Sequence, residues 1–397
     1  MDYRNNNKNI LFPIDDDKQI EGYKKYSNTL YEYCAFSNKK EAIKQRKFWN
    51  KVFRGCRLAP KVKSDIRGRV RSKKDEQFLS ALFELFLYQF LHHIGLKVRS
   101  GNLLSGLPDF KVIHPKASNF YLEATCNMGD TLPDTEQGYR DRITDAIRSI
   151  QSNYFRVIVS YNGRCQKNPK LRNLKHDINE WLNQLDYELL LEKQKSSVLE
   201  KNQYEKIFDV DGLKVIIKPW PLKEPKSSKR YGLIYLGPME GLVFVNTGKQ
   251  LLKKLKAKEK QIRGARLPVI IAINEVAEYL DKDDMLTALF GELKTDIRLI
   301  NMQPVDSTFR RGPSGIWLHN GKPINNSIEG VLFFNKIEFF TFPMLKPVMV
   351  LNPYIKNNRV PKDLKLIDYY IPSKDGLNMK QINKTDNDNW RAIWPFK

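Results

Sequence analysis

A chain of 397 residues is longer than one ordinary hydrophobic core organises, so two domains and a small N-terminal extension are expected. With 41% hydrophobic and 11% aromatic residues it cannot be wholly disordered. Lys and Arg outnumber Asp and Glu by 68 to 45, a formal net charge of +23 that suits a polyanion, nucleic acid first; a well-solvated basic surface is the plainer alternative.

The start, with Asp2, Asn5, Asn6 and Asn7, is polar and lacks an apolar signal core, and no later run reaches the roughly 20 apolar residues that span a bilayer. A cytoplasmic protein with no membrane partner is expected. Residues 1–74 read as a basic N-terminal extension, ending in KVKSDIRGRVRSKK from Lys61 to Lys74. From Asp75 to Ile94 the chain turns apolar on several faces, without Gly or Pro until Gly95, and predicts a buried helix with a glycine stop; Glu84 lies in its middle. Short strands follow at 96–98, 108–113 and 119–125, the last two joined by the turn-rich HPKASN. A helix over 134–152 and a strand over 154–161 complete a core placed at 75–170.

Residues 171–205 predict a long charged helical connector, and 206–397 a second α/β module. Its elements are strands at 213–218, 242–245 and 268–273, helices at 249–262 and 281–290, and β-rich stretches at 328–334 and 344–351 before an irregular tail. Cys34, Cys56, Cys126 and Cys165 are far apart, form no CxxC pair and read as free thiols.

Three acids stand where acids do not otherwise belong. Glu84 is inside the most apolar helix, Asp109 opens a strand after Pro108, and Glu123 is inside the strand FYLEAT. Burying a bare charge costs several kcal/mol, so a shared partner is expected. A turn over His114–Asn119 sets Asp109 close to Glu123 by antiparallel pairing, provided the register holds. The bland readings are an arginine partner for Glu84, a turn acid at Asp109 and a solvent-facing Glu123.

Glu84, then Gly106-Leu107-Pro108-Asp109-Phe110, then Tyr121-Leu122-Glu123-Ala124-Thr125, resembles the helix glutamate, PD and (D/E)xK motifs of the PD-(D/E)XK nuclease superfamily. More narrowly, ALFELFLYQFLHHIGLKV, PDF and FYLEAT, with LTALFG, GIWLHNGKPINNSIEGVLFF and MVLNPY downstream, resemble a group of uncharacterised bacterial proteins. The resemblance implies an α/β fold, a mixed central sheet flanked by helices, with the C-terminal α/β module as recognition or scaffold element. It implies Mg²⁺ or Mn²⁺ held by Asp109 and Glu123, with Glu84 completing or orienting the site.

The implied activity is hydrolysis of phosphodiester bonds, in DNA rather than RNA, of a bacterial defence or restriction type. A homodimer or a defence-system partner protein would fit it. One departure matters: Thr125 occupies the position of the motif's lysine, and a hydroxyl cannot supply that positive charge. Either a cation comes from elsewhere, with Lys111 nearest, or a second ion replaces it, or the chain binds nucleic acid without cutting. Gln137, Arg140 and Arg148 on the following helix, and Lys253, Lys254 and Arg263 in the Lys-rich helix, are candidate phosphate contacts.

Other signals carry less. His92-His93 satisfies a helix end, His319-Asn320-Gly321 has the wrong spacing for an HNH site, and no GxxxxGK[ST] loop supports ATP hydrolysis.

Overall fold

The computed structural model describes residues 10–13, 19–22, 24–100, 108–129, 134–195, 204–225, 246–300, 302–324, 327–341 and 346–383. The chain divides into two compact units. The first comprises Met1–Gly22, Thr29–Asp130 and Val245–Lys397; the second comprises Tyr23–Asn28 and Thr131–Phe244.

In the first unit α1 (Leu30–Phe36), α2 (Lys40–Gly55) and α3 (Pro60–Val70) precede α4 (Asp75–His93). Then come β1 (Lys97–Ser100), β2 (Phe110–Ile113) and β3 (Phe120–Asn127). The second unit contains α5 (Asp134–Arg148), β4 (Phe155–Gly163), α6 (Leu171–Asn183), α7 (Tyr187–Lys195), β5 (Lys206–Val210) and β6 (Leu213–Pro221). The first unit resumes with α8 (Thr247–Ile262), β7 (Val269–Glu275), α9 (Lys282–Phe290), β8 (Glu292–Ile300) and β9 (Gln303–Gly312). It ends with β10 (Leu318–His319), β11 (Lys322–Pro323), β12 (Ile328–Asn335), β13 (Val348–Leu351), β14 (Asp368–Pro372) and β15 (Met379–Asn383).

An eight-stranded mixed sheet, in the order β1-β2-β3-β7-β12-β13-β14-β15, organises the first unit. Strands β1, β2 and β3 are antiparallel neighbours, whereas β3, β7 and β12 run parallel. Parallel strands covered on both faces need no polar alternation, which is why VIIAINE is buried at every position. One sheet face, with Leu122, Ala124, Ile270 and Ala272, packs in the cluster that holds α4. The opposite face, with Ile271, Ile273, Val331 and Phe333, packs under α8 and α9. Gly248 permits a close α8–α9 crossing, because a Cβ there would lie 2.5 Å from the Thr287 Cβ.

Several boundaries differ from those expected. The segment read as a basic extension contributes Leu11, Phe12, Trp49 and Phe53 to the same cluster as Phe78 of α4. Fully buried Asn50 fixes the irregular segment around Leu11 and Phe12 by accepting from Leu11 N–H and Phe12 N–H and donating to the Phe12 carbonyl. The helix and strand over 134–161 do form, but in the second unit, where β4 joins β6 and β5 in a separate sheet. The helix and strand that follow β3 in the first unit are α8 and β7, from the half read as a separate module. The expected long connector is two helices, α6 and α7, and the tail contains β14 and β15. The hairpin of β8 and β9 was not anticipated, and the strand expected at 242–245 lies outside the described residues. Among the described residues no helix is long and apolar enough to cross a membrane.

Candidate functional site

Pairing of Phe110 with Leu122 and of Lys111 with Tyr121, continued by one residue, puts Asp109 opposite Glu123, the register that the HPKASN turn implies. Strand β2 begins there, while β3 continues to Asn127, so β3 has no β2 neighbour beyond this point. Asp109 carries the ladder one step further through its side chain. Its Oδ2 accepts from Ala124 N–H at 2.8 Å, and its own N–H donates to Glu123 Oε2 at 3.1 Å. Two acidic residues on adjacent strands are thereby locked to each other's backbone.

Glu123 and Thr125 share their face of β3 with Ile271 and Ile273 of β7, the face packed under α8. On α8, Leu251, Leu255, Lys258 and Ile262 recur at helical spacing, so Lys258 occupies the stripe that otherwise carries buried aliphatics. Its Nζ lies 2.6 Å from Glu123 Oε1. Burial works against charging Lys258, yet the Glu123 and Asp109 carboxylates outweigh it and leave its pKa raised.

Glu84 enters from α4, where both its oxygens accept from Arg69 of α3 at 2.6 Å. Arg69 also donates to Asp65 one turn earlier. Burial, reinforced by the Asp109 charge, pushes the Glu84 carboxyl up to about 7 against the pull of Arg69. Burial and the Glu123 charge push Asp109 up to about 6. By formal charge the three carboxylates exceed Arg69 and Lys258 by one, but the upward shifts come first from burial, with the neighbouring carboxylate adding to it in each case.

No family model matches this chain, and neither a curated protein nor a solved structure matches it.

The structure thus brings Glu84, Asp109 and Glu123 into one electrostatic cluster with two cations that sequence reasoning missed. Arg69 was hidden in a run of seven basic residues. Lys258 was hidden among the α8 lysines, although its spacing from Leu251 and Leu255 was a usable signal. Thr125 is buried on the Glu123 face of β3. Lys111 lies across the ladder from Arg99 and Tyr121, and the ammonium that meets Glu123 belongs to Lys258 instead.

The expected phosphate contacts are scattered. Lys254 pairs with Glu76 and Arg263 with Glu259. Lys253 projects roughly 140° around α8 from Lys258 and is exposed, and Arg263, in extended backbone just past the end of α8, is exposed as well. Arg140 pairs with Glu136 and Arg148 donates to the Lys24 carbonyl, both within the second unit. Gln137, also there, donates to Asp141.

Asp109 and Glu123 offer oxygen donors of the type that Mg²⁺ or Mn²⁺ takes, although Asp109 Oδ2 and both oxygens of Glu123 already accept hydrogen bonds within the protein. Among the described residues no group of three or more His, Cys, Asp or Glu side chains is arranged to hold an ion. Both oxygens of Glu84 are taken by Arg69, so Glu84 offers no free ligand.

Proposed function

We propose that this chain is a metal-dependent nuclease of the PD-(D/E)XK kind that hydrolyses phosphodiester bonds of DNA. The observation that carries the reading is Lys258 on Glu123: a lysine delivered from α8 supplies the positive charge that Thr125 cannot. The order of a helix bearing Glu84, three antiparallel strands bearing Asp109 and Glu123, then a helix and a parallel strand supports the fold that the motifs imply. In the first unit α4, β1, β2 and β3 are followed by α8 and β7, and the second unit is an insertion between β3 and α8.

Asp109 and Glu123 would hold Mg²⁺ or Mn²⁺, which supplies Lewis acidity at phosphate and lowers the pKa of bound water. Lys258 places a fixed positive charge beside these carboxylates, suited to orienting a phosphate oxygen or the attacking water. Arg69 fixes the Glu84 carboxylate within the cluster by bonding both its oxygens. The formal charge of +23 supports a polyanionic substrate, and a defence or restriction role follows from the resemblance alone.

A second reading, a nucleic-acid-binding protein that has kept the fold without cleavage, is favoured by the same ion pairs, since Arg69 and Lys258 already engage Glu84 and Glu123. Supercoiled plasmid, single-stranded DNA and RNA, incubated with Mg²⁺ or Mn²⁺, separate the two. Cleavage of DNA that disappears in both Asp109→Ala and Glu123→Ala is expected. Salt-sensitive binding with no cleavage under any of these conditions supports the second reading instead.

A further inference from the structure

We propose that the second unit contains its own binding pocket for a phosphate group, separate in residues and chemistry from the carboxylate cluster. A cavity of about 560 Å³ is lined by Lys25, Arg142, Arg148 and Lys175, with Asp145 as the acidic residue among its lining. Four cations against one carboxylate leave a surplus of three positive charges. That volume lies within the range of about 300–1,000 Å³ usual for small-ligand sites.

Asp145 offsets one of these charges, and its oxygens accept from backbone and hydroxyl donors rather than from any of the four cations. Oδ1 accepts from Tyr26 N–H at 2.8 Å, and Oδ2 accepts from Ser27 N–H at 2.9 Å and from the Ser27 hydroxyl. These bonds pin residues 26 and 27 to α5, which makes the segment carrying Lys25 one wall of the pocket. Among the described residues neither Lys25 nor Lys175 enters an ion pair.

The other walls are equally fixed. Helices α5 and α6 share a core of Ile143, Ile147, Leu174 and Ile178, so Arg142 and Lys175 project from packed elements. Arg142 donates to the Asn168 side chain, and Arg148 donates to the Lys24 carbonyl while lying over the Tyr26 ring. Guanidinium groups held in this way are preorganised for the tetrahedral oxygens of a phosphate, while the Ser27 and Ser149 hydroxyls already donate to Asp145 and the Ala146 carbonyl. That phosphate comes either from a free nucleotide or from a nucleic-acid backbone.

The test uses the full chain in EDTA, so that binding is read without cleavage and a failure of the nuclease proposal leaves the result interpretable. Fluorescence anisotropy with labelled single-stranded and duplex oligonucleotides, and calorimetry with ATP and inorganic phosphate, are compared for wild type and Lys25→Glu/Lys175→Glu. A control pair, Lys214→Glu/Lys223→Glu, reverses two exposed charges elsewhere on the same unit.

The pocket pair should weaken binding about tenfold or more and flatten the dependence of log Kd on log salt by about 1.4–1.8, while the control changes far less. If the Glu pair fails to fold by circular dichroism, Lys25→Gln/Lys175→Gln should still show a several-fold loss. Loss of ATP binding identifies a free nucleotide as the source; loss confined to oligonucleotides identifies the backbone. Equal losses in pocket and control pairs, wild-type affinity in the pocket pairs, or no binding of any phosphate ligand by wild type overturns the proposal.

Discussion

Replacing Lys258 by Met retains the aliphatic volume in the α8 stripe and removes the ammonium from Glu123. Breaking a well-buried ion pair by deleting one partner costs about 3–5 kcal/mol, because the remaining charge stays desolvated. Here Lys258 keeps 23% of its side chain exposed and Glu123 7%, so water screens part of the loss and about 2–3 kcal/mol is expected. At about 2–4 °C per kcal/mol for a large domain, Tm should fall by about 4–12 °C at pH 8. The penalty should shrink at pH 5, where Glu84 and Asp109, with pKa values pushed to about 7 and about 6, are protonated and the cluster no longer carries surplus negative charge. Thermal melts at the two pH values measure the difference, and plasmid cleavage measured alongside should be lost in Lys258→Met but retained in Lys111→Met. A Tm loss of the same size at both pH values, or cleavage that survives Lys258→Met and vanishes in Lys111→Met, would refute the assignment of Lys258.

Wild-type stability should itself respond to these acids. Because folding raises the Glu84 and Asp109 values, the folded state holds more protons than the unfolded chain between about pH 4 and 7, and their contribution to stability falls as pH rises through that window. Urea titrations should show Glu84→Gln flattening this slope, and Mg²⁺ added at pH 6 should release protons, read by calorimetry in buffers of different ionisation enthalpy; a heat independent of buffer contradicts metal binding at these carboxylates. Gly248→Ala tests the α8 seating from a distance: its Cβ meets Thr287 at 2.5 Å, so overpacking of about 1–3 kcal/mol should lower the urea midpoint, and an unchanged midpoint would show that the two helices separate freely.

The sequence by itself determined what is local. Helix α4 was legible because nineteen residues without Gly or Pro carry apolar side chains on several faces, and Glu84 was conspicuous among them. The Asp109–Glu123 pair was legible because one short turn fixes an antiparallel register, and register fixes which side chains share a face. Tertiary structure decided what arrives from far along the chain. Lys258 reaches Glu123 across 135 residues, and no hydropathy pattern states which helix will cover which strand. The strand Val269–Glu275 was readable as buried, but its parallel partner β3 was not, since a parallel neighbour is joined through a crossover rather than a turn. For the same reason α5 and β4, adjacent in sequence to β3, passed for the completion of its core. Only packing showed that they fold with β5 and β6 while α8 brings Lys258 to Glu123.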